Sequence, residues 1–225
     1  MLILSIDTST LAGSLALLQN EQILAEVRFN LGRKHTERLV PEMDWMFKRL
    51  GLEPDAIEGI AVGIGPGSFT GVRVGLATAK GLALSLSVPV VGVSSLDALA
   101  QAVRFYNGQI VALLDARKGE VFARFYQGGD CFHPVGEHRV IAPEKLLPML
   151  KQGALAVGEG ARIYSEIFKG KAQFAGFEFE YPRASVIGKL GLERLAKKDG
   201  DSLEQLVPIY LRPSDAEIKK EVQCS

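Results

Sequence analysis

Two aspartates, Asp7 and Asp115, are the residues whose type and setting best suit chemistry. Each ends an apolar run of strand length, and each is followed by a polar turn with a glycine and a second, alternating run. Two carboxylates at strand ends that face each other across a cleft would hold a metal-bound nucleotide for phosphotransfer. The alternative is that each aspartate caps its own turn through a side-chain oxygen. The sequence leaves both interpretations open.

A glycine-rich stretch at residues 63–71, GIGPGSFTG, is the second candidate site. Gly65, Gly67 and Ser68 precede an apolar segment with helical spacing, so backbone N–H groups there would face an anion at the positive end of a helix. The stretch lacks the Gly-Lys-Ser/Thr ending of a P-loop, and Ser68 occupies the third-glycine position of GxGxxG. The alternative is a tight connection between strand and helix, with Ser68 or Thr70 as the N-cap.

The three histidines do not predict a metal site. His35 opens a predicted helix, and the position one turn later is Leu39. His133 and His138 lie in a strand-like segment whose spacing places them on opposite faces. No nucleophile-elbow motif anchors a Ser/His/Asp or Cys/His arrangement either. The histidines therefore predict no intrinsic metal site.

Composition narrows the function classes. The chain has 225 residues, with 26 Lys and Arg against 26 Asp and Glu, so its net charge of zero does not suggest a nucleic-acid footprint over the whole chain. Two cysteines exclude a disulfide framework or a zinc cage and favour reducing cytoplasm. The opening residues lack the basic start of a signal peptide. The weakly polar stretch at 72–93 contains Arg73, Lys80 and Pro89, so we expect no membrane span.

The apolar pattern predicts an α/β fold built from a duplicated unit. A three-stranded antiparallel meander, a helix, a strand–helix–strand unit and a third helix follow in order, and the pattern then begins again. The strand–helix–strand unit implies parallel pairing. We expect halves at residues 1–106 and 107–225. The predicted strands are 2–6, 14–18, 22–29, 60–64, 90–93, 110–114 and 121–126, and the predicted helices are 35–50, 71–87, 94–105, 143–151, 162–168 and 184–198.

The helix predicted at 71–87 is the most informative segment. Gly71, Gly75 and Gly81 each cost about 1 kcal/mol relative to alanine inside a helix, so packing outside the helix must offset them. One face is apolar and a second consists of small residues, which indicates that the helix is covered on two sides. Either the second half of the chain or a partner covers the second face. The residues of that face are Val74, Thr78, Gly81 and Ser85.

The helix predicted at 35–50 supports the partner interpretation. Its apolar stripe leaves Trp45 on the opposite side, among Arg38, Glu42 and Arg49. Exposed tryptophan and arginine are typical of protein interfaces. The alternative is a lone surface aromatic that lies on Arg38 through a cation–π contact.

Five motifs together resemble one known family. They are IDTST, HTERLVP, GPGSFTGVRVGLATAKGLAL, DARKGEV and PIYLRPS, and they follow in order over nearly the whole chain. The chain is similar to the TsaB family, also called YeaZ, bacterial partner proteins in making N6-threonylcarbamoyladenosine in tRNA. GPGSFTGVRVGLA is the most specific of these motifs. The resemblance implies an actin/Hsp70-like (ASKHA) fold of two RNase-H-like halves with mixed sheets flanked by helices.

The resemblance also implies a scaffold without its own activity. Its partner would be the paralogue TsaD, which holds a metal and transfers threonylcarbamoyl to adenosine 37 of tRNAs that read ANN codons. Of the HxxxH metal motif of TsaD, this chain keeps His35 but has Leu39. The first two helices would dock on TsaD, or on a second copy in a homodimer. The ATPase TsaE, tRNA, and ATP or ADP with magnesium would join through the complex.

Two rival functions stay open. One is an ATP-dependent phosphotransferase or ATPase of the actin–hexokinase fold, with Asp7 and Asp115 around a magnesium ion. The other is a glycoprotease-like peptidase, which no nucleophile–base pair in the sequence supports.

Overall fold

The computed structural model describes residues 1–30 and 35–212, with the backbone alone for residues 35 and 36. Cys224 therefore lies outside the described part. The elements of the described part are β1 (Leu2–Asp7), β2 (Ala12–Gln19), β3 (Gln22–Asn30), α1 (His35–Leu50), β4 (Gly59–Gly63), α2 (Phe69–Leu86), β5 (Val90–Val93), α3 (Ser95–Ala102), β6 (Gln109–Arg117), β7 (Glu120–Gln127), β8 (His133–Ile141), β9 (Ala154–Val157), α4 (Glu159–Ile163), α5 (Ser165–Phe168), β10 (Ala172–Phe174) and α6 (Ala184–Ala196), with 3₁₀ helices at Pro54–Ala56, Pro143–Met149 and Phe177–Phe179.

The strands form two mixed sheets with the same topology. The first has the order β3-β2-β1-β4-β5, and the second, read in the same sense, has the order β8-β7-β6-β9-β10. In each, the first strand pairs antiparallel with the second, as Asp7 does with Ser14 and Asp115 with Val121. The first strand also pairs parallel with the fourth. This repetition confirms the predicted duplication and the α/β fold class.

Alternation along the strands places an apolar layer on both faces of each sheet, since successive side chains point to opposite faces. In the first sheet, Leu4 and Ile6 pack with α1 and α2, whereas Ile3 packs with α6. In the second sheet, Leu114 packs with α3, and Leu113 packs with α4 and α5. The helices α3 and α6 therefore lie between the two sheets, and α1 and α2 form one outer layer.

The sheets divide where the sequence predicts the boundary between halves, since Asn107 and Gly108 lie between α3 and β6. However, α6 belongs to the second half of the sequence and packs on the first sheet. Gly188 and Gly191 allow this approach, because a Cβ on Gly191 would overlap Ala61, and one on Gly188 would meet the Leu18 side chain. The division into two independent halves stays a prediction.

Two predicted helices of the second half differ from the structure. The helix predicted at 143–151 is wrong, because Pro143–Met149 forms a 3₁₀ helix with Pro148 inside it, and proline lacks the N–H that an α-helix interior needs. The helix predicted at 162–168 is two short helices, which meet at Tyr164. The helix predicted to reach residue 105 ends at Ala102. None of the helices in the described part has the length and apolar character of a membrane span.

Candidate functional site

Helix α1 presents the predicted interface residues to solvent. Leu39, Met43 and Met46 bury one side of the helix on the first sheet. On the other side Trp45 is 54% exposed and Val40 is 60% exposed. The remaining predicted residues lie there too: Arg49 is exposed, and the Arg38 guanidinium lies 3.8 Å from the Glu42 carboxylate.

Helix α2 lies beside α1 and leaves part of its small-residue face open. Leu84 is 71% exposed, Ser85 is exposed, and a Cβ on Gly81 would meet no heavy atom of the described chain within 4 Å. Val74 is half-buried, and the Thr78 hydroxyl donates to its carbonyl oxygen at 2.9 Å. The two helices thus form one exposed surface, called here the α1–α2 surface, which carries all eight predicted interface residues. That this surface is an interface stays a prediction.

The three glycines of α2 divide into two groups. A Cβ on Gly71 would overlap the carbonyl oxygen of Thr8, and one on Gly75 would overlap the Thr8 hydroxyl. These two glycines let α2 approach the β1–β2 turn, and the Thr8 hydroxyl donates to the Gly71 carbonyl at 2.7 Å. Close packing is confirmed as their reason. Gly81 has no such contact among the described residues, so only contact outside this part of the chain would offset its cost in helix stability.

An aromatic cluster that the sequence did not reveal extends the α1–α2 surface at the start of α2. The guanidinium of Arg73 lies 3.6 Å from the centre of the Phe69 ring, and its Nε donates to the Tyr210 hydroxyl at 2.7 Å. The rings of Phe69 and Tyr210 are 5.5 Å apart. Both rings are partly exposed, at 38% and 48%. Tyr210 belongs to the PIYLRPS motif, but the sequence does not show that it returns to α2.

Asp7 is enclosed by its own neighbours. Its carboxylate accepts from the Ser9 N–H at 3.1 Å, from the Ser9 hydroxyl at 2.8 Å and from the Ser95 hydroxyl at 3.0 Å. The side chain is fully buried, and a Cβ on Gly63 would overlap it. Burial raises the pKa of Asp7 from 3.8 to about 6, against the lowering effect of these hydrogen bonds. The contacts are those of the turn-capping interpretation.

The glycine-rich loop packs on the same turn. The Ser68 N–H donates to the Ser9 carbonyl at 2.6 Å, and a Cβ on Gly67 would overlap that oxygen. Ser68 is the N-cap of α2, with its hydroxyl accepting from the Gly71 N–H at 3.3 Å, and Gly65 adopts a positive φ of 86° that suits a glycine. The N-cap prediction is confirmed, and anion binding by this loop stays a prediction.

Asp115 lies in a different polar cluster. Its carboxylate accepts from the Arg117 N–H at 3.0 Å and the Tyr164 hydroxyl at 3.2 Å, and it pairs with the Arg117 guanidinium at 3.3 Å. The sequence missed its neighbour Glu159, whose pKa rises to about 7 because of burial and the Asp115 charge. The only feature of the sequence that could have indicated Glu159 is its position, since it follows strand β9 and a glycine. Asp7 and Asp115 share no hydrogen-bond partner in the described part of the chain.

The histidines do not converge in the described part, where no group of three or more His, Cys, Asp or Glu residues is arranged to hold a metal ion. The side chain of His35 lies outside that part. Leu39, at the second position of the HxxxH motif, is buried in the core of the first sheet.

Comparison with known proteins decides the family. The family model described as "TsaD: tRNA N6-adenosine threonylcarbamoyltransferase" matches residues 22–220. The proteins named "tRNA threonylcarbamoyladenosine biosynthesis protein TsaB" from Bacillus subtilis and Escherichia coli are 35% and 33% identical to the chain. The alignments cover 97% of both chains for the first, and 94% of this chain and 95% of the relative for the second. The chain belongs to the TsaB family.

Solved structures agree with this assignment. YeaZ from Pseudomonas aeruginosa has a TM-score of 0.81 and 32% identity, and the match covers 93% of this chain and 99% of YeaZ. A more distant likeness, the activator of 2-hydroxyisocaproyl-CoA dehydratase from Clostridium difficile with bound ADPNP, has a TM-score of 0.51 at 12% identity and covers 90% and 99% of the two chains. It shows the fold alone. Together with the duplicated sheets, these likenesses confirm an actin/Hsp70-like fold for this member of the TsaB family.

Proposed function

We propose that this chain is a non-catalytic subunit in the biosynthesis of threonylcarbamoyladenosine in tRNA, and that it works by binding a catalytic TsaD paralogue. Membership of the TsaB family supports the pathway, because its curated relatives carry that pathway in their names. The paralogue transfers the threonylcarbamoyl group to adenosine 37 of tRNAs that read ANN codons. This chain holds the paralogue in its active conformation through higher affinity for that state.

The observation that carries the proposal is the open side of α2. Gly81 weakens the helix by about 1 kcal/mol relative to alanine, and no described residue uses the space that its missing side chain leaves. A helix of a second protein would use this space for close approach. Leu84, one turn further along α2, and Trp45 on α1 are exposed apolar groups of the α1–α2 surface. Exposed apolar groups that gather in a patch mark interaction sites.

The charges of the α1–α2 surface favour a protein partner with acidic residues where it contacts α2. Helix α2 contains Arg73 and Lys80 and no acidic residue. Helix α1 carries charges of both signs, among them the ion pairs Arg38–Glu42 and Asp44–Lys48. A partner helix that packs on α2 should therefore present carboxylates to Arg73 and Lys80, because complementary charges fix the register of an interface.

The wider assembly belongs to the same proposal. The ATPase TsaE, tRNA, and ATP or ADP with magnesium join through the complex, and the chain pairs with a second copy when TsaD is absent. The complex works in the cytoplasm, where tRNA is modified.

Substitution of Gly81 by tryptophan tests the proposal. We expect Gly81→Trp to abolish association with TsaD while the free chain keeps its stability. In the free chain the new side chain extends into open space, whereas in the complex it would collide with the partner helix. Static light scattering of the mixed proteins and an assay of tRNA modification measure the two effects. Ala196→Trp, at an exposed position on α6, is the matched control and should bind normally. An intact complex with Gly81→Trp would refute the interface.

The phosphotransferase alternative predicts that nucleotide turnover by the chain alone is lost in Asp115→Asn. The contacts do not favour it, because the Asp7 carboxylate that it needs is enclosed by Ser9, Ser95 and Gly63. Turnover by the purified chain that survives removal of contaminating ATPases and disappears in this variant would establish it.

A further inference from the structure

Glu159 is a buried carboxyl group without a partner. The residue is 8% exposed. In the described part of the chain it makes no hydrogen bond or ion pair, and only burial and the charges of its neighbours act on it. Buried polar groups are almost always hydrogen-bonded, and a buried charge is costly unless it is paired. A group of this kind indicates that something beyond the described residues completes its surroundings.

The fold places Glu159 next to Asp115. Strands β6 and β9 are parallel, with Ala112 opposite Val157, so their carboxyl ends lie at the same edge of the second sheet. Asp115 comes three residues after Ala112, and Glu159 comes two residues after Val157. The carboxyl edge is also where open α/β sheets bind their ligands. Two carboxyl groups thus follow adjacent strands at an edge suited to a ligand.

Two glycines bring the start of α4 onto the end of β6. A Cβ on Gly158 would overlap the Leu113 carbonyl oxygen, and one on Gly160 would lie 2.9 Å from the Leu113 carbonyl carbon. Gly158 also has a φ of 102°, which suits a glycine. Because Glu159 lies between these glycines, the packing holds it beside the last residues of β6, where Asp115 lies.

Asp115 retains the capacity for one further bond. One oxygen of its carboxylate accepts from the Arg117 N–H and the Tyr164 hydroxyl, and the other lies 3.3 Å from the Arg117 guanidinium. A carboxylate has about four lone-pair sites, so these contacts leave about one. The side chain is 10% exposed. A ligand that Asp115 shares with Glu159 must therefore be small.

The cluster carries more negative than positive charge. Arg117 is the cation that pairs with Asp115. Arg162 also acts on Glu159, but its guanidinium pairs with Glu180 at 2.8 Å. Burial, together with the charge of Asp115, raises the pKa of Glu159 to about 7. A cation bound to both carboxylates would oppose this effect.

We propose that Asp115 and Glu159 together bind a hydrated divalent cation of the magnesium type, which ties the start of α4 to the end of β6. Mg²⁺ prefers oxygen ligands and keeps several of its waters, so one or two carboxylates suffice for a site. A lysine or arginine of another protein is a poorer fit, because both carboxyl groups are deeply buried and the Arg117 guanidinium already lies beside Asp115.

This site is separate from the proposed interface with TsaD. It lies at the edge of the second sheet, whereas the α1–α2 surface lies on the first, and it does not include Asp7. Its tests use the full chain without TsaD or nucleotide. Failure of the cation site and failure of the TsaD interface are therefore distinguishable.

Binding of Mn²⁺, a probe for magnesium sites, tests the proposal through electron paramagnetic resonance of the free ion. At about pH 8, where carboxyl groups are mostly ionised, the chain should bind one Mn²⁺, and excess Mg²⁺ should displace it. Glu159→Gln and Asp115→Asn should each weaken binding at least about tenfold, since loss even of a residue that only orients a metal ligand costs about that much. Glu166→Gln, at an exposed position of α5, is the matched control and should bind like the parent. No binding by the parent, or unchanged affinity in either of the first two variants, would overturn the proposal.

Paramagnetic broadening by bound Mn²⁺ locates the site without a substitution, so it keeps the proposal testable if a variant folds poorly. In amide NMR spectra of the parent chain, signals of residues 113–117 and 158–162 should broaden before all others, and excess Mg²⁺ should restore them. Broadening centred on another group, such as Asp7, or broadening that Mg²⁺ does not reverse would show that these two carboxylates do not hold the ion, and the site would be rejected.

Discussion

Asp7 shows how its neighbours decide the role of a carboxyl group at a strand end. Its three hydrogen-bond donors come from Ser9, two residues on, and from Ser95, which is 88 residues away. Burial outweighs these bonds and raises the pKa to about 6. Ionised Asp7 is therefore less favourable in the folded than in the unfolded chain. The contribution of this group to stability is largest below about pH 4 and is lost as the pH rises through about 6.

The variant Asp7→Asn should remove this pH dependence. A shift of about two pKa units corresponds to about 3 kcal/mol. Relative to the parent, we expect the free energy of unfolding of the variant to gain up to this amount between about pH 4 and about pH 7, because the amide keeps the shape without a charge. Urea unfolding at a series of pH values measures it. Asp44→Asn, in an exposed ion pair worth little, is the control. Parallel pH curves for Asp7→Asn and the parent would contradict the expectation.

At the scale of the element, α2 combines two requirements that conflict within one helix. Its inner side must approach the β1–β2 turn, which explains Gly71 and Gly75 through their closeness to Thr8. On its outer side, Gly81 weakens the helix, and the exposed Leu84 leaves an apolar side chain in water. Neither residue makes a contact in the described chain that would offset this cost. These outer residues therefore do not stabilise the described part of the free chain, which agrees with the proposal that the α1–α2 surface binds a partner.

Alanine substitution separates the two kinds of glycine. Gly81→Ala should stabilise the free chain by up to about 1 kcal/mol, because the methyl group enters open space and alanine favours the helix. Gly75→Ala should destabilise it, because the methyl group would overlap the Thr8 hydroxyl. Chemical denaturation of both variants, which change the same residue type on the same helix, gives the two free energies. Effects of the same sign would show that the contact with Thr8 does not matter.

At the scale of the whole molecule, the two sheets share their middle layer. The first sheet has one face covered by α1 and α2 from its own half and the other covered by α6 from the second half. Arg194 stabilises the packing of α6 on the first sheet. It pairs with Asp201 at 2.7 Å and donates to the Gly92 carbonyl of β5 at 3.0 Å. Although the topology is duplicated, we therefore expect the two halves not to fold independently.

A fragment of residues 1–106 tests this dependence. We expect it to lack a cooperative unfolding transition, because without α6 one apolar face of its sheet meets water. Circular dichroism during urea titration, with the full chain as reference, is the measurement. A fragment that unfolds cooperatively would show that the halves are independent after all. The residues that would lose cover are Ile3, Ala16, Leu18, Ala61, Val91 and Val93.

The amino-acid sequence alone determined the secondary structure of the first half and the duplicated fold. The reason is that periodicity and caps are local: α1 follows its apolar spacing, and Ser68 and Ser94 cap the helices that their neighbours predict. The predictions at 143–151 and 162–168 failed where Pro148 and the break at Tyr164 compete with a short helical pattern.

Only the tertiary structure decided the surroundings of the side chains and the crossing of α6. Asp7 meets Ser95 across 88 residues, and Ser94 meets His138 across 44. Such contacts depend on the packing of whole sheets, for which spacing along the chain carries no signal. The composition of α2 already predicted a face suited to a partner. That this face is exposed and lies beside α1 depends on how the two helices pack on the first sheet, which only the tertiary structure shows.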